Sequence, residues 1–130
     1  MLKRVKVAPQ YPLFIDFADG TTKQCLQCIE SLILLVQEFG EIEDILREYE
    51  NMPYDLTAII LYSGMKILDA SITLDECKLI TMSGGLPLMN EVLEQFNKNI
   101  GSMSQEEIKK QLEIRMAVMQ KHQNQAIRKQ

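Results

Sequence analysis

Long apolar runs are missing from this sequence. The longest nearly apolar stretch, residues 31–36, falls far short of the roughly 20 residues that cross a bilayer, so no membrane span is expected. An export signal is missing too. Residues 1–6 carry three positive charges, but Val7-Ala-Pro-Gln-Tyr-Pro12 offers neither an apolar core nor a small-residue cleavage site. The chain is therefore expected to stay in the cytoplasm. Cysteine is scarce and odd in number: Cys25, Cys28 and Cys77 cannot all pair within one chain, and without export reduced thiols are expected in place of a disulfide framework. Tryptophan is absent, phenylalanine numbers four and histidine one. Against these, eight methionines give an adaptable apolar inventory suited to irregular cores and forgiving binding surfaces.

What is present fits one folded domain. A chain of 130 residues with 46% apolar and 25% charged residues has the composition of an ordinary globular protein. At that length, folding hides roughly two-thirds of the unfolded surface, enough for a single core. The net charge of -4 conceals an asymmetry. Residues 7–103 hold fifteen Asp or Glu against five Lys or Arg, whereas residues 104–130 hold six Lys or Arg against three Asp or Glu. A basic interaction arm on an acidic body is one reading, and an ordinary solvated helix is the other. No aromatic residue interleaves the basic positions of the arm, so nucleic acid is not an expected partner.

Only the first twenty residues look strand-like. Tyr11-Pro-Leu-Phe-Ile-Asp-Phe-Ala-Asp-Gly20 is rich in bulky apolar residues and ends in an Asp-Gly turn signal, and residues 2–7 are its expected pairing partner. After the turn, Thr21-Thr22 offers an N-cap to a helix with apolar positions Cys25, Leu26, Ile29, Leu32, Ile33, Val36 and Phe39, stopped by Gly40. Leu34 and Leu35 widen its apolar face, so this helix is expected to be the central one. Ile42, Ile45, Leu46 and Tyr49 mark a short acidic helix. Pro53 opens another, carried by Leu56, Ile59, Ile60 and Met65, within which Gly64 predicts a close helix crossing or a bend.

Thr73-Leu-Asp-Glu76 is a capping box that starts a helix through Ile80, which Gly84-Gly85 ends. Pro87 opens a helix with Leu88, Val92, Leu93, Phe96 and Ile100, closed by Gly101. Ser104-Gln-Glu-Glu107 caps the last, where Ile108, Leu112, Met116 and Met119 form one narrow stripe, with Ile114 and Val118 on another side. That stripe is more apolar than a lone helix exposes, so it is expected to pack on the body, on another copy or on a partner helix. The expected architecture is thus mainly α, a compact bundle of about five to six helices. It has a short N-terminal β segment and an extended C-terminal helix. A body at 1–101 is followed by an arm at 102–130.

Reactive groups are few. Cys25-Leu-Gln-Cys28 has the spacing of a redox dithiol or of half a metal site, but it is expected on the first turns of a helix, with only Cys77 and His122 as further ligands. Cys25 falls on the core stripe and reads as a small hydrophobe. His122 has no serine or carboxylate at a triad spacing, and pairs such as Glu43/Asp44 and Asp75/Glu76 have the character of solvated surface or caps. Gly84-Gly85 lacks the P-loop pattern and a preceding strand. No catalytic residue, metal or cofactor is expected.

The run Leu56-Thr-Ala-Ile-Ile-Leu-Tyr-Ser-Gly-Met-Lys66, then Ile72-Thr-Leu-Asp-Glu-Cys77, a break and the apolar helix at 86–100 resembles the tail assembly chaperones of long-tailed bacteriophages and prophages. In that family a helix ending in a small residue, Gly, Leu or Met, and Lys or Arg precedes a Leu-Thr-x-Glu-Glu helix start. Here the start reads Ile72-Thr-Leu-Asp-Glu76, a near match, and the resemblance covers residues 29–101. It implies a non-enzymatic factor of the bacterial host cytoplasm. Such a factor binds the long helical tape measure protein, keeps it soluble and helps tail tube protein polymerise around it. A longer frameshifted product is common in the family. The alternative reading is a small helical adaptor or regulator that acts by protein-protein contact through its basic arm, including as a homo-oligomer.

Overall fold

The computed structural model describes residues 3–4, 11–100, 106, 110, 113–114 and 117. The chain divides into two units, Met1–Ile100 and Gly101–Gln130. In the first, a two-stranded sheet of β1 (Leu13–Asp16) and β2 (Thr22–Cys25) is followed by helices α1 (Ile29–Phe39), α2 (Ile42–Glu48), α3 (Pro53–Lys66) and α4 (Leu74–Asn99). The protein is therefore mainly helical, with a short N-terminal hairpin. In the second unit the described residues, Glu106, Lys110, Glu113, Ile114 and Ala117, are all helical.

The hairpin departs from the expected pairing. β1 pairs antiparallel with β2, in the register Leu13 with Cys25 and Asp16 with Thr22, whereas the partner expected from the sequence is residues 2–7, of which 2 and 5–7 lie outside the described residues. Asp19 is the cause. Its Oδ1 accepts from the Thr21 amide at 2.9 Å and from the Thr21 hydroxyl, while Phe17 and Thr21 close the turn through Phe17 N to Thr21 O at 2.9 Å. With the chain reversed there, the nearest extended partner is the next segment. Thr22 donates its hydroxyl to Asp16 Oδ1 across the strands at 2.7 Å, so neither threonine caps a helix. The carboxyl of Asp19 is held below its ordinary value, first by the Thr21 side chain and then by the Thr21 amide.

Helix α1 accordingly starts at Ile29, later than the stripe beginning at Cys25 implies. Its cap is Cys28, whose amide donates to Ser31 Oγ at 2.9 Å. Cys25 is inward-facing on a strand, four residues before Ile29, and so mimics one further helical turn.

The central helix is α3 rather than α1. Its nine residues from Thr57 to Met65 are all buried, and it lies against α1, α4 and β2. Small residues account for this: Thr57, Ala58, Ser63 and Gly64 let neighbours approach on every side. Tyr62 ties it to α1 through an edge-on contact with Phe39 and a hydrogen bond to Glu38 Oε1 at 3.2 Å. Lys66 donates to the Tyr62 hydroxyl at 2.6 Å, and its ammonium is held above its ordinary value by that bond first and by Glu38 in addition.

Residues 11–100 form four helical elements, and the last of them is two helices joined across a kink, at the break expected between the helices before and after Gly84-Gly85. The segments on either side of Gly84-Gly85 run as one element, interrupted where Gly85 takes φ 60° and ψ -151°, a conformation almost confined to glycine. At the other end of α4 the Thr73 hydroxyl accepts from the Glu76 amide at 3.2 Å, as the capping-box pattern implies.

Candidate functional site

The dithiol motif lies between a strand and a helix, with Cys25 ending β2 and Cys28 capping α1, and so departs from the expected place on the first turns of a helix. That is the kind of setting in which a thiol is commonly activated, because the free N–H groups of a helix start favour the thiolate. Burial decides the outcome here. Cys25 is 1% exposed and its thiol is pushed up to about 12 by desolvation, against a smaller opposing effect from the Gln27 side chain. The Cys77 thiol is also raised to about 12 by burial, with the Glu76 carboxylate adding to it. Cys28 feels the lowering pull of the Ser31 and Glu30 amides, yet burial still leaves it above its ordinary value.

The surroundings of Cys25 are polar without being reactive. Gln27 donates Nε2 to Cys25 Sγ at 3.3 Å and to the Ile60 carbonyl at 3.1 Å. Its Oε1 is buried with no hydrogen-bond partner among the described residues. Asn99 donates to the Gln27 carbonyl at 2.9 Å, which ties the connection to the end of α4. No group of three or more His, Cys, Asp or Glu among the described residues is placed to hold a metal, and His122 lies outside those residues.

Thiol titration checks this arrangement. With a disulfide-exchange reagent at about pH 8, close to the ordinary cysteine pKa, Cys25 and Cys77 are expected to stay silent in the native protein, and all three thiols to react in denaturant. The pH dependence has a definite sign. Unfolded thiols ionise near 9.0 and the buried pair near 12, so between these values the unfolded chain binds fewer protons. Stability is thus expected to fall as pH rises from about 9 to about 12. Rapid labelling of the native protein would contradict the sealed geometry.

Surface features are the stronger candidates. α3 and the first half of α4 frame a cleft of about 440 Å³, lined by Tyr54, Asp55, Ala58, Lys78, Thr81 and Met82. Met82 is 74% exposed and Leu79, one turn before it, 65%. Leu86 is exposed just past the Gly85 kink. Sequence reading missed this cleft because it marked a helix through Ile80 without sorting its inner from its outer side. The signal was the pair Cys77 and Thr81, four apart and buried, which leaves Leu79 and Met82 on the outer side.

Of the arm residues expected to meet a partner, Ile114 is described, and it is 49% exposed. Ile108, Leu112, Met116, Val118 and Met119 lie outside the described residues. No helix of the described residues is long and apolar enough to cross a membrane. No family model, curated protein or solved structure matches this chain.

Proposed function

We propose that the chain is a non-enzymatic assembly factor, a tail assembly chaperone of a long-tailed bacteriophage or prophage. It works in the bacterial host cytoplasm, where it keeps the tape measure protein soluble while tail tube subunits polymerise around it. The observation that carries the reading is the exposure of Ile114, an apolar residue of the arm, whose sequence also spaces Ile108, Leu112, Met116 and Met119 as a stripe on another side. An apolar, methionine-bearing helix face suits a helical client, because thioethers repack around varied side chains. The order of elements in residues 29–101 supports the family assignment. The acidic body adds net charge, which keeps a complex with an aggregation-prone client in solution.

Co-expression tests this. The soluble fraction of a tape measure protein taken from a neighbouring gene is expected to rise severalfold with this chain. The gain is expected to vanish when Leu112 and Met116 are both replaced by Asp. An unchanged soluble fraction with the wild-type chain overturns the proposal.

A further inference from the structure

We infer that the cleft between α3 and the first half of α4 is a self-association surface, which receives the same cleft of a second copy of this chain about a two-fold axis. The argument starts from what the cleft leaves unsatisfied. Its walls carry Tyr54 and Met82, and Leu79 stands beside it, all three substantially exposed. Exposed side chains of this size, grouped at one concavity, gain when another apolar surface covers them.

The charges select the occupant. Asp55 comes from α3 and Lys78 from α4, so one anion and one cation line the same cleft. Neither belongs to an ion pair among the described residues, where the pairs are Lys23 with Glu76, Arg47 with Asp44 and Lys66 with Glu38. In a two-fold contact the same patch faces itself, so residue i of one copy meets residue j of the other, and j meets i. A patch holding one cation and one anion, neither ion-paired among the described residues, is self-complementary under that operation. Lys78 of each copy meets Asp55 of the other, and the apolar side chains close between them.

The rest of the body argues against other faces for this contact. Residues 7–103 carry fifteen acidic side chains and five basic ones, so two copies repel over most of their surface. The cleft, with its charges balanced, is where that repulsion is least. A strongly basic partner is drawn instead to acid-rich surface such as α2, with Glu43, Asp44 and Glu48. Few side chains anchor the cleft, which places the contact at the small end of specific interfaces, with micromolar rather than nanomolar association.

Charge reversal supplies the test, on the full chain, by light-scattering mass from about 1 μM to 1 mM. The wild-type mass is expected to rise to twice the monomer across that range. Lys78→Glu and Asp55→Lys alone each set like charges against each other twice, and each is expected to weaken association about tenfold or more. An equimolar mixture of the two variants pairs opposite charges at both positions and is expected to restore the dimer. Met82→Asp, at an exposed position that does not bear on folding, is expected to remove association with an unchanged circular dichroism spectrum. A monomeric wild type across the range overturns the inference, as does single-variant association equal to wild type or a mixture that stays monomeric. A dimer lost on removing residues 102–130 yet untouched by the three substitutions overturns it as well. None of these outcomes bears on client solubility, so this inference and the chaperone reading stand or fall separately.

Discussion

Gly64→Val is expected to cost the fold about 3 kcal/mol or more, and Gly64→Ala about 1 to 2 kcal/mol. The difference lies in what a side chain meets at this position. A Cβ built on Gly64 sits 2.5 Å from Cys25 Sγ, 2.6 Å from Gln27 Nε2 and 3.1 Å from the Leu26 carbonyl oxygen. None of the three gives way cheaply. Cys25 ends a paired strand, the Gln27 amide holds Cys25 and Ile60 by hydrogen bonds, and Leu26 is bound to α3 by its own amide, which donates to the Gly64 carbonyl at 2.9 Å. Overpacking of a tight core typically costs about 1 to 3 kcal/mol. Alanine recovers about 1 kcal/mol of that through its better helix propensity, whereas valine recovers less and adds two methyl groups to the clash.

Urea titration of the three proteins measures both effects. The midpoint should fall in the order glycine, alanine, valine, with an unchanged slope for alanine. A second arm separates the clash from a general intolerance of α3. Cys25→Ala removes the nearest atom, so in the Gly64→Ala background it is expected to cost less than in the wild type, with a coupling of at least about 0.5 kcal/mol. Equal costs in both backgrounds would sink the explanation.

Gly64 also marks how far the sequence could be read. A glycine inside an apolar helical repeat predicts a close approach, and that much holds. What approaches is the connection from β2 to α1, residues 26–28, rather than another helix, because the contact joins positions nearly forty apart and no local pattern encodes it. The same limit explains the hairpin. Thr22-Lys-Gln-Cys25 has little strand character of its own and becomes a strand because the Asp19 turn delivers it to β1. Elements defined by their own periodicity were legible: α2, α3, the Thr73 cap and the break at Gly85. The cleft was not legible, since Tyr54 and Met82 come to line one cleft only through the placement of α3 beside α4.

Leu61→Ala is the second large effect, expected at about 2 to 5 kcal/mol. Leu61 is fully buried near the middle of α3, and its neighbours Ile59, Ile60, Tyr62 and Met65 are buried as well. Truncation therefore loses the transfer energy of the removed methyl groups and leaves a cavity that α3 cannot collapse into, because α1, α4 and β2 brace it. Leu61 also turns its backbone carbonyl towards the Cys25 thiol, at 3.8 Å, so a shift of α3 would reach the end of β2. Whole domains are stable by only about 5 to 15 kcal/mol, so this one change removes a large share. Leu46 on α2 provides the control: it is apolar and helical by sequence, yet 45% exposed, and its replacement by alanine is expected to stay within about 0.5 kcal/mol. The contrast reads the burial order directly. Were α1 the centre of the bundle, as its richer run of leucines implies, Leu34→Ala on α1 would match or exceed Leu61→Ala. Leu34 is only half-buried, so the central position of α3 requires Leu61→Ala to lower the urea midpoint more.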